Sequence, residues 1–249
     1  MAVGLKRKRA PMVDGLGFRP LYRQAKEVLV GRIAAGSWQP GQILPSEFEI
    51  AADLGVSQGT IRKALDEMTA ENLLVRRQGR GTFVARHDEE RILFQFFKLT
   101  RDDGERRFPE SRVLDVRVVR ASPEARGRLG LATGDKVVQI ERVRSLAGIV
   151  CVAEGMVLPH RLFPGIESSE LPNNLYELYA AAFGVTVARA DERLKAVAAT
   201  ARTARHLAVA AGAPLLSVDR VALDVAGAPV EWRVSLCRTD EFHYLCNLR

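Results

Sequence analysis

Little in this chain of 249 residues supports redox or metal chemistry. Its three cysteines, Cys151, Cys237 and Cys246, are odd in number and form no CxxC pair, and its four histidines are scattered without metal-ligand spacing. The cysteines read as buried, unpaired thiols, and no cofactor or metal centre is expected. Aromatic residues are sparse, at 6%. No apolar run approaches the roughly 18–20 residues that a membrane-spanning helix needs, so no membrane partner is expected. The basic run Lys6-Arg7-Lys8-Arg9 is followed by no apolar stretch, which argues against a secretory signal and for a cytoplasmic protein. No activated nucleophile or cofactor loop stands out, so no catalytic residues are expected.

What is present is positive charge, unevenly placed. The formal net charge is +7, and residues 1–87 hold 14 Lys/Arg against 8 Asp/Glu while the remainder holds 23 against 22. A basic excess confined to one third of a chain is the footprint of a module that meets phosphates. The length suits two domains, and 47% apolar residues suffice for two cores.

Residues 1–17 are basic and aperiodic and read as a flexible arm. A DNA-binding domain is expected over 18–86. Leu21, Ala25, Val28, Leu29 and Ile33 keep a helical period closed by Gly36, and Pro40, Gly41 and Pro45 prevent the helix from resuming before Ser46. Ser46 with Glu49 has capping-box spacing and starts a short helix bearing Ile50 and Leu54. Gly55 suits a left-handed C-cap, Val56 can plug the core and Ser57 can cap the next helix. That helix, about Gln58 to Glu71, places Ile61, Leu65 and Met68 on one stripe and leaves Gln58, Gly59, Thr60, Arg62 and Lys63 outside it. A recognition helix needs this distribution. Gln58 can pair with an adenine edge and Arg62 can reach a guanine edge or a phosphate, while Thr60 and Gly59 permit close approach. Leu73–Val75 and Thr82–Val84 read as strands joined by Gln78-Gly79-Arg80-Gly81, with Arg76, Arg77 and Arg80 along the hairpin.

The motifs L-P-S-E, G-V-S-x-x-T-I-R, A-L-x-x-M and R-x-G-x-G-T-F-V occur in this order between Leu44 and Val84. Together with the preceding helix they resemble the winged helix-turn-helix of the GntR family of bacterial transcription regulators. The resemblance places Thr60, Arg62 and the wing tip at Gly79 at the family's DNA-contacting positions; with them, DNA contacts are expected from Ser46, Gln58, Gly59 and Lys63, and from Arg77, Gln78 and Arg80 of the wing. Phe48 and Gln58 stand where the family usually carries arginine or a similar residue.

Beyond a linker over 87–91, strand patterns mark a second domain over 92–249: Ile92–Phe97, Arg112–Val119, Val137–Val143 and Val150–Leu158. A helix is expected over Ala121–Leu131 from the cap Ser122-Pro123-Glu124, and another over Asn173–Phe183. Helix, glycine, strand, hairpin and strand then recur, at an offset of 78 before the hairpin: Leu129 matches Leu207, Gly134 matches Gly212, and Arg142 matches Arg220. Arg142 and Arg144 fall on one strand face, and Glu154 lies across the hairpin. Such a set either forms a bidentate anion site or closes on itself as an internal Arg–Glu pair. The phrase Ile140-Glu141-Arg142-Val143-Arg144, with Ala153-Glu154 and Asn174-Leu175-Tyr176-Glu177-Leu178, resembles the UTRA effector-binding domain of the HutC-like branch. That resemblance implies an antiparallel α+β domain of chorismate-lyase-like fold, with effector contacts from Arg142, Arg144 and Glu154. Cys237-Arg238-Thr239-Asp240 stands where the family closes on Y-R-G-D.

The whole chain is thus expected to be α+β: a winged helix joined to a UTRA-like domain for effector binding and dimerisation. The function implied is a homodimeric repressor on an inverted-repeat operator in double-stranded DNA, modulated by a small anionic effector. A retained lyase activity, or a dimeric DNA binder without effector, are the alternatives.

Overall fold

The computed structural model describes residues 20–246 apart from residues 72, 86–95 and 105–106. The expected arm, the linker and the first four residues of the strand expected over Ile92–Phe97 lie outside the described residues. The winged helix comprises α1 (Leu21–Ala34), α2 (Glu47–Leu54), α3 (Gln58–Ala70), β1 (Leu74–Arg77) and β2 (Gly81–Val84). Each boundary has a local cause. The Ser46 hydroxyl accepts from Glu49 N, and Ser46 N donates to the Glu49 carboxylate at 2.8 Å, completing the capping box. Gly55 ends α2 at φ 65°, and Ser57 caps α3 by accepting from Thr60 N. The segment before α2 joins the wing as a third strand-like edge, with Leu44 N donating to Thr82 O and Val84 N to Gln42 O. Leu29, Ile50, Ile61, Leu65, Met68 and Leu74 are fully buried in one cluster. Each fully buried aliphatic side chain stabilises the fold by about 1.5–3 kcal/mol. Val56 packs against the rim of this cluster, and Ala188 and Val225 of the second domain join it.

The second domain is built on a six-stranded sheet ordered β4-β5-β6-β9-β8-β7, with every neighbouring pair antiparallel. Its strands are β4 (Glu110–Arg120), β5 (Lys136–Leu146), β6 (Ile149–Pro159), β7 (Val187–Ala198), β8 (Pro214–Asp224) and β9 (Pro229–Arg238). Two short strands, β3 (Leu99–Arg101) and β10 (Phe242–Tyr244), form a separate ribbon. The helices are α4 (Pro123–Leu129), α5 (Leu175–Phe183) and α6 (Ala201–Leu207). One expectation needs correction: Phe96 lies in a turn and Phe97 has no regular structure, so neither belongs to a strand. Their rings are buried instead, at 4% and 9% exposure.

The repeat at offset 78 is visible in the hydrogen bonds. Ala121 N donates to Asp135 O and Ala199 N to Ala213 O, both at 2.8 Å; Leu131 N donates to Arg126 O and Val209 N to Ala204 O, both at 3.1 Å. Ser122 caps α4 as Thr200 caps α6. The two halves meet where β6 pairs with β9, and each half braces the other: Arg128 of α4 pairs with Asp219 of β8, and Arg202 of α6 with Glu141 of β5. On the opposite face α5 covers an apolar cluster that includes Ile140, Met156, Leu158 and Tyr179. The β3–β10 ribbon covers a second cluster on Val152, Val218 and Cys237.

Candidate functional site

Two surfaces gather the chemistry. The first is the exposed end of α3 with the wing. Gln58 and Arg62 sit on successive turns of α3, and both lean on Glu47 of α2: Arg62 Nε donates to Glu47 Oε2 at 3.0 Å and Gln58 Nε2 to the same oxygen at 3.4 Å. Arg76 of β1 donates to Glu47 Oε1 at 3.4 Å and pairs with Asp66 at 2.7 Å. The Thr60 hydroxyl is 2.9 Å from that of Ser57, and the Ser46 hydroxyl is engaged by Glu49. Lys63 Nζ lies 4.1 Å from the Tyr22 ring centroid and Arg77 lies 4.9 Å from that of Phe83, so both cations rest on aromatic faces. Gly59 faces open space, since an added Cβ would meet nothing nearer than the Ser57 hydroxyl at 3.9 Å. At the wing tip Gly79 and Gly81 adopt φ 69° and 109°, conformations that bring Arg77, Gln78 and Arg80 round a tight turn. Nine of the ten residues expected at the DNA surface lie on the first turns of α3 or on the hairpin, and the tenth, Ser46, caps α2. Glu47 and Arg76 also belong to this surface, although no spacing in the sequence places Glu47 beside three groups that are 11, 15 and 29 residues away.

The second surface is a belt of buried charge across the sheet, between the two apolar clusters of one face. Arg142 (2% exposed) and Glu154 (6%) are register partners across β5 and β6 and form an ion pair. Arg220 and Arg233 are register partners across β8 and β9, where like charges would repel without compensation. Each turns to its own carboxylate: Arg220 Nε donates to Glu192 at 2.7 Å, and Arg233 grips Glu231 with bonds of 2.9 and 2.7 Å. Tyr176 and Tyr179 donate to the same Glu231 carboxylate at 3.1 and 2.9 Å. Burial alone would raise the Glu154 carboxyl, but Arg142, Arg233 and Arg144 outweigh it and hold it well below the usual carboxylate range. Ser235 also donates to Glu154, at 3.0 Å.

Arg144 differs from the other three arginines. It donates to the Ser111 hydroxyl at 3.2 Å and lies over Phe97 and Phe108, with no carboxylate at ion-pair distance among the described residues. Burial, and then the neighbouring Arg142, pull its pKa down to about 9, which leaves it cationic at neutral pH. Four guanidiniums thus face three carboxylates in the belt. Arg144, Arg220 and Arg233 line two small adjoining cavities of ≈ 20 and ≈ 30 Å³, together with Phe96 and Phe97. Of the residues expected to bind an effector, Arg142 and Glu154 close on one another as an internal pair while each borders one of these two cavities, and Arg144 borders both. Arg220, Arg233 and Ser235 complete the set. Arg220 is foreshadowed by its match to Arg142, whereas Arg233 comes after the second hairpin and falls outside the 78-residue offset.

Family comparison identifies both domains. Residues 21–84 match the model for bacterial regulatory proteins of the gntR family, and residues 104–243 match the UTRA domain. The chain belongs to the GntR family. It is 32% identical to the HTH-type transcriptional repressor NagR of Bacillus subtilis over 92% of this chain and 96% of that one. The mannosyl-D-glycerate transport/metabolism system repressor MngR of Escherichia coli is 28% identical over the same shares. A crystal structure of the ligand-binding domain of a GntR-family regulator from Bordetella bronchiseptica has a TM-score of 0.57 at 38% identity, covering 62% of this chain and 98% of that one. This GntR-family chain therefore has the HutC-like arrangement of a DNA-binding winged helix followed by a UTRA domain. Its relatives are transcriptional repressors, a non-enzymatic role that agrees with the expected lack of catalytic residues. No helix among the described residues is long and apolar enough to cross a membrane.

Proposed function

We propose that this GntR-family regulator is a cytoplasmic homodimeric repressor of an inverted-repeat operator, and that a small anionic effector in the UTRA belt modulates DNA binding. Arg144 is the observation that carries the effector reading: a buried guanidinium without a carboxylate partner, beside a cavity, in a belt with one more cation than anions. An anionic group between Arg144, Arg220 and Arg233 balances that charge and accepts paired hydrogen bonds. The name of the MngR repressor points the same way, since mannosyl-D-glycerate carries a carboxylate. On the DNA side, Gln58, Gly59, Thr60, Arg62 and Lys63 enter the major groove, and Ser46 and the wing residues Arg77, Gln78, Gly79 and Arg80 meet the backbone or minor groove. A two-fold dimer presents two such helices, which a palindromic site must match.

A thermal-shift series with sugar phosphates, sugar acids and amino-acid conjugates, paired with gel shifts on operator DNA, tests the effector role. Stabilisation by an anion, lost in Arg144→Met, and a matching change in operator affinity are expected. If no anion stabilises the protein and operator affinity stays flat, the effector role is lost. Sedimentation that finds a monomer at micromolar concentration would remove the dimer. The small cavity volumes, each room for a water or two, favour a second reading in which the UTRA domain only dimerises. The same thermal-shift series separates the two.

A further inference from the structure

We infer that Glu47 is a positioning residue for DNA reading, whose carboxylate sets the Arg62 guanidinium and the Gln58 amide to meet base edges. The inference rests on the proposal that Arg62 and Gln58 enter the major groove.

Glu47 is the first residue of α2, and the capping box of Ser46 and Glu49 fixes the backbone from which it projects. Its side chain is 22% exposed, against 59% for Arg62. The carboxylate therefore lies behind the reading groups. Oε2 takes Arg62 and Gln58 of the recognition helix, and Oε1 takes Arg76 of the wing strand. One anion thus ties both DNA-facing elements to α2.

What this bond leaves free decides its use. The Arg62 Nε–H is occupied, and neither terminal nitrogen has a partner among the described residues. Those two nitrogens form the end of the guanidinium that can meet guanine O6 and N7 with paired bonds. Gln58 gives one amide hydrogen to Glu47, which leaves its second hydrogen and its carbonyl oxygen for N7 and N6 of adenine. An unanchored arginine loses its rotamer freedom when it binds; one held at Nε has lost it on folding. On DNA that offers no guanine the anchor gains nothing, and the carboxylate still repels nearby phosphates. Glu47 therefore strengthens operator binding and weakens random binding, which widens the gap between them.

The test uses the full-length protein, a duplex selected by wild-type protein from a random library, and a random-sequence duplex of equal length, titrated by gel shift at several salt concentrations. Glu47→Gln removes the charge; Glu47→Asp keeps it but falls one methylene short. Both variants are expected to lower the operator-to-random affinity ratio about ten-fold or more. For Glu47→Gln, affinity for the random duplex should rise, with a salt slope steeper by about one. Thermal midpoints should stay near wild type. Arg62→Ala tests the underlying reading and should also lose the ratio. If Arg62→Ala loses it while both Glu47 variants keep it, positioning is overturned and the reading of Arg62 stands. If Arg62→Ala keeps it, both fall. Wild-type behaviour of Glu47→Asp alone would reduce Glu47 to a bare charge, and a large fall in the thermal midpoint of both variants would make it a structural residue; either result overturns the inference.

Discussion

Arg144 and Arg142 lie two residues apart on the same strand face, yet removing them should have opposite effects. Arg144 has been taken out of water without a carboxylate partner, and its bonds to Ser111 and the aromatic faces of Phe97 and Phe108 only partly compensate. Arg144→Met should stabilise the ligand-free protein by about 1–2 kcal/mol in urea unfolding and abolish any anion-induced thermal shift. Arg142→Met leaves Glu154 with only Ser235 and a more distant Arg233 at 3.6 Å, so it should cost about 3–5 kcal/mol. Equal effects of the two variants would contradict the assignment of Arg142 as paired and Arg144 as free of a carboxylate. Glu154 adds a pH signature. Its folded pKa is depressed, so the stability it contributes is present above the unfolded carboxyl value of about 4.3 and is lost as pH falls towards the lower folded value. Glu154→Gln should therefore be less stable than wild type at neutral pH, and its stability should fall less steeply below about pH 4. A parallel acid limb in the two proteins would show that Glu154 is not held by the arginines.

Helix ends set much of this fold, and the repeat exposes one that is suboptimal. Gly130 ends α4 at φ 61°, while its counterpart 78 residues later, Ala208, ends α6 at φ 53° with a Cβ that disfavours that conformation. Ala208→Gly should raise stability by about 0.5–1 kcal/mol, read as a higher urea midpoint at unchanged slope; a lower midpoint would mean that the Ala208 methyl packs usefully. The recognition helix shows the reverse balance. No internal contact requires Gly59, so Gly59→Ala should stabilise the free protein by about 0.5 kcal/mol while weakening operator binding by crowding the groove. If operator binding is unchanged, the backbone does not approach DNA there. The elements legible in the sequence are those whose ends carry local chemistry, such as Ser46 with Glu49, Ser57, Gly55 and Ser122-Pro123. The strand β7 is not legible, because Arg189, Asp191, Glu192, Arg193 and Lys195 interrupt its apolar period as befits a charged sheet edge. Phe96 and Phe97 mislead for the opposite reason: their apolar run suggests a strand, but the rings fill a loop over the charge belt. Glu47 acquires its partners only through tertiary approach, which no local spacing encodes; Arg233 has Glu231 two residues away but meets Glu154 and Tyr176 only across the fold.

At the scale of the whole molecule, the two surfaces share no residue but are joined by packing. Arg220 and Arg233 of the belt lie on β8 and β9, and the turn of that same hairpin carries Val225, which packs against the winged-helix core alongside Ala188. On the proposed function, a ligand drawn to Arg220 and Arg233 would bias how the hairpin meets α1 and α3, and through them the spacing of recognition helices in the proposed dimer. Such coupling is reciprocal: an anion that changes operator affinity by some factor must itself bind with affinity changed by the same factor when operator is present. Three variants separate the parts. Arg80→Ala at the wing should weaken operator binding and leave the anion-induced thermal shift intact. Arg144→Met should do the opposite. Val225→Ser should keep both binding reactions but shrink the anion's effect on operator affinity, because the apolar contact between the hairpin and the winged helix is lost. Calorimetric titration of the anion with and without operator, alongside gel shifts with and without the anion, measures the coupling from both sides. Wild-type coupling in Val225→Ser would exclude this hairpin as the connection and shift attention to the chain segment between the two domains.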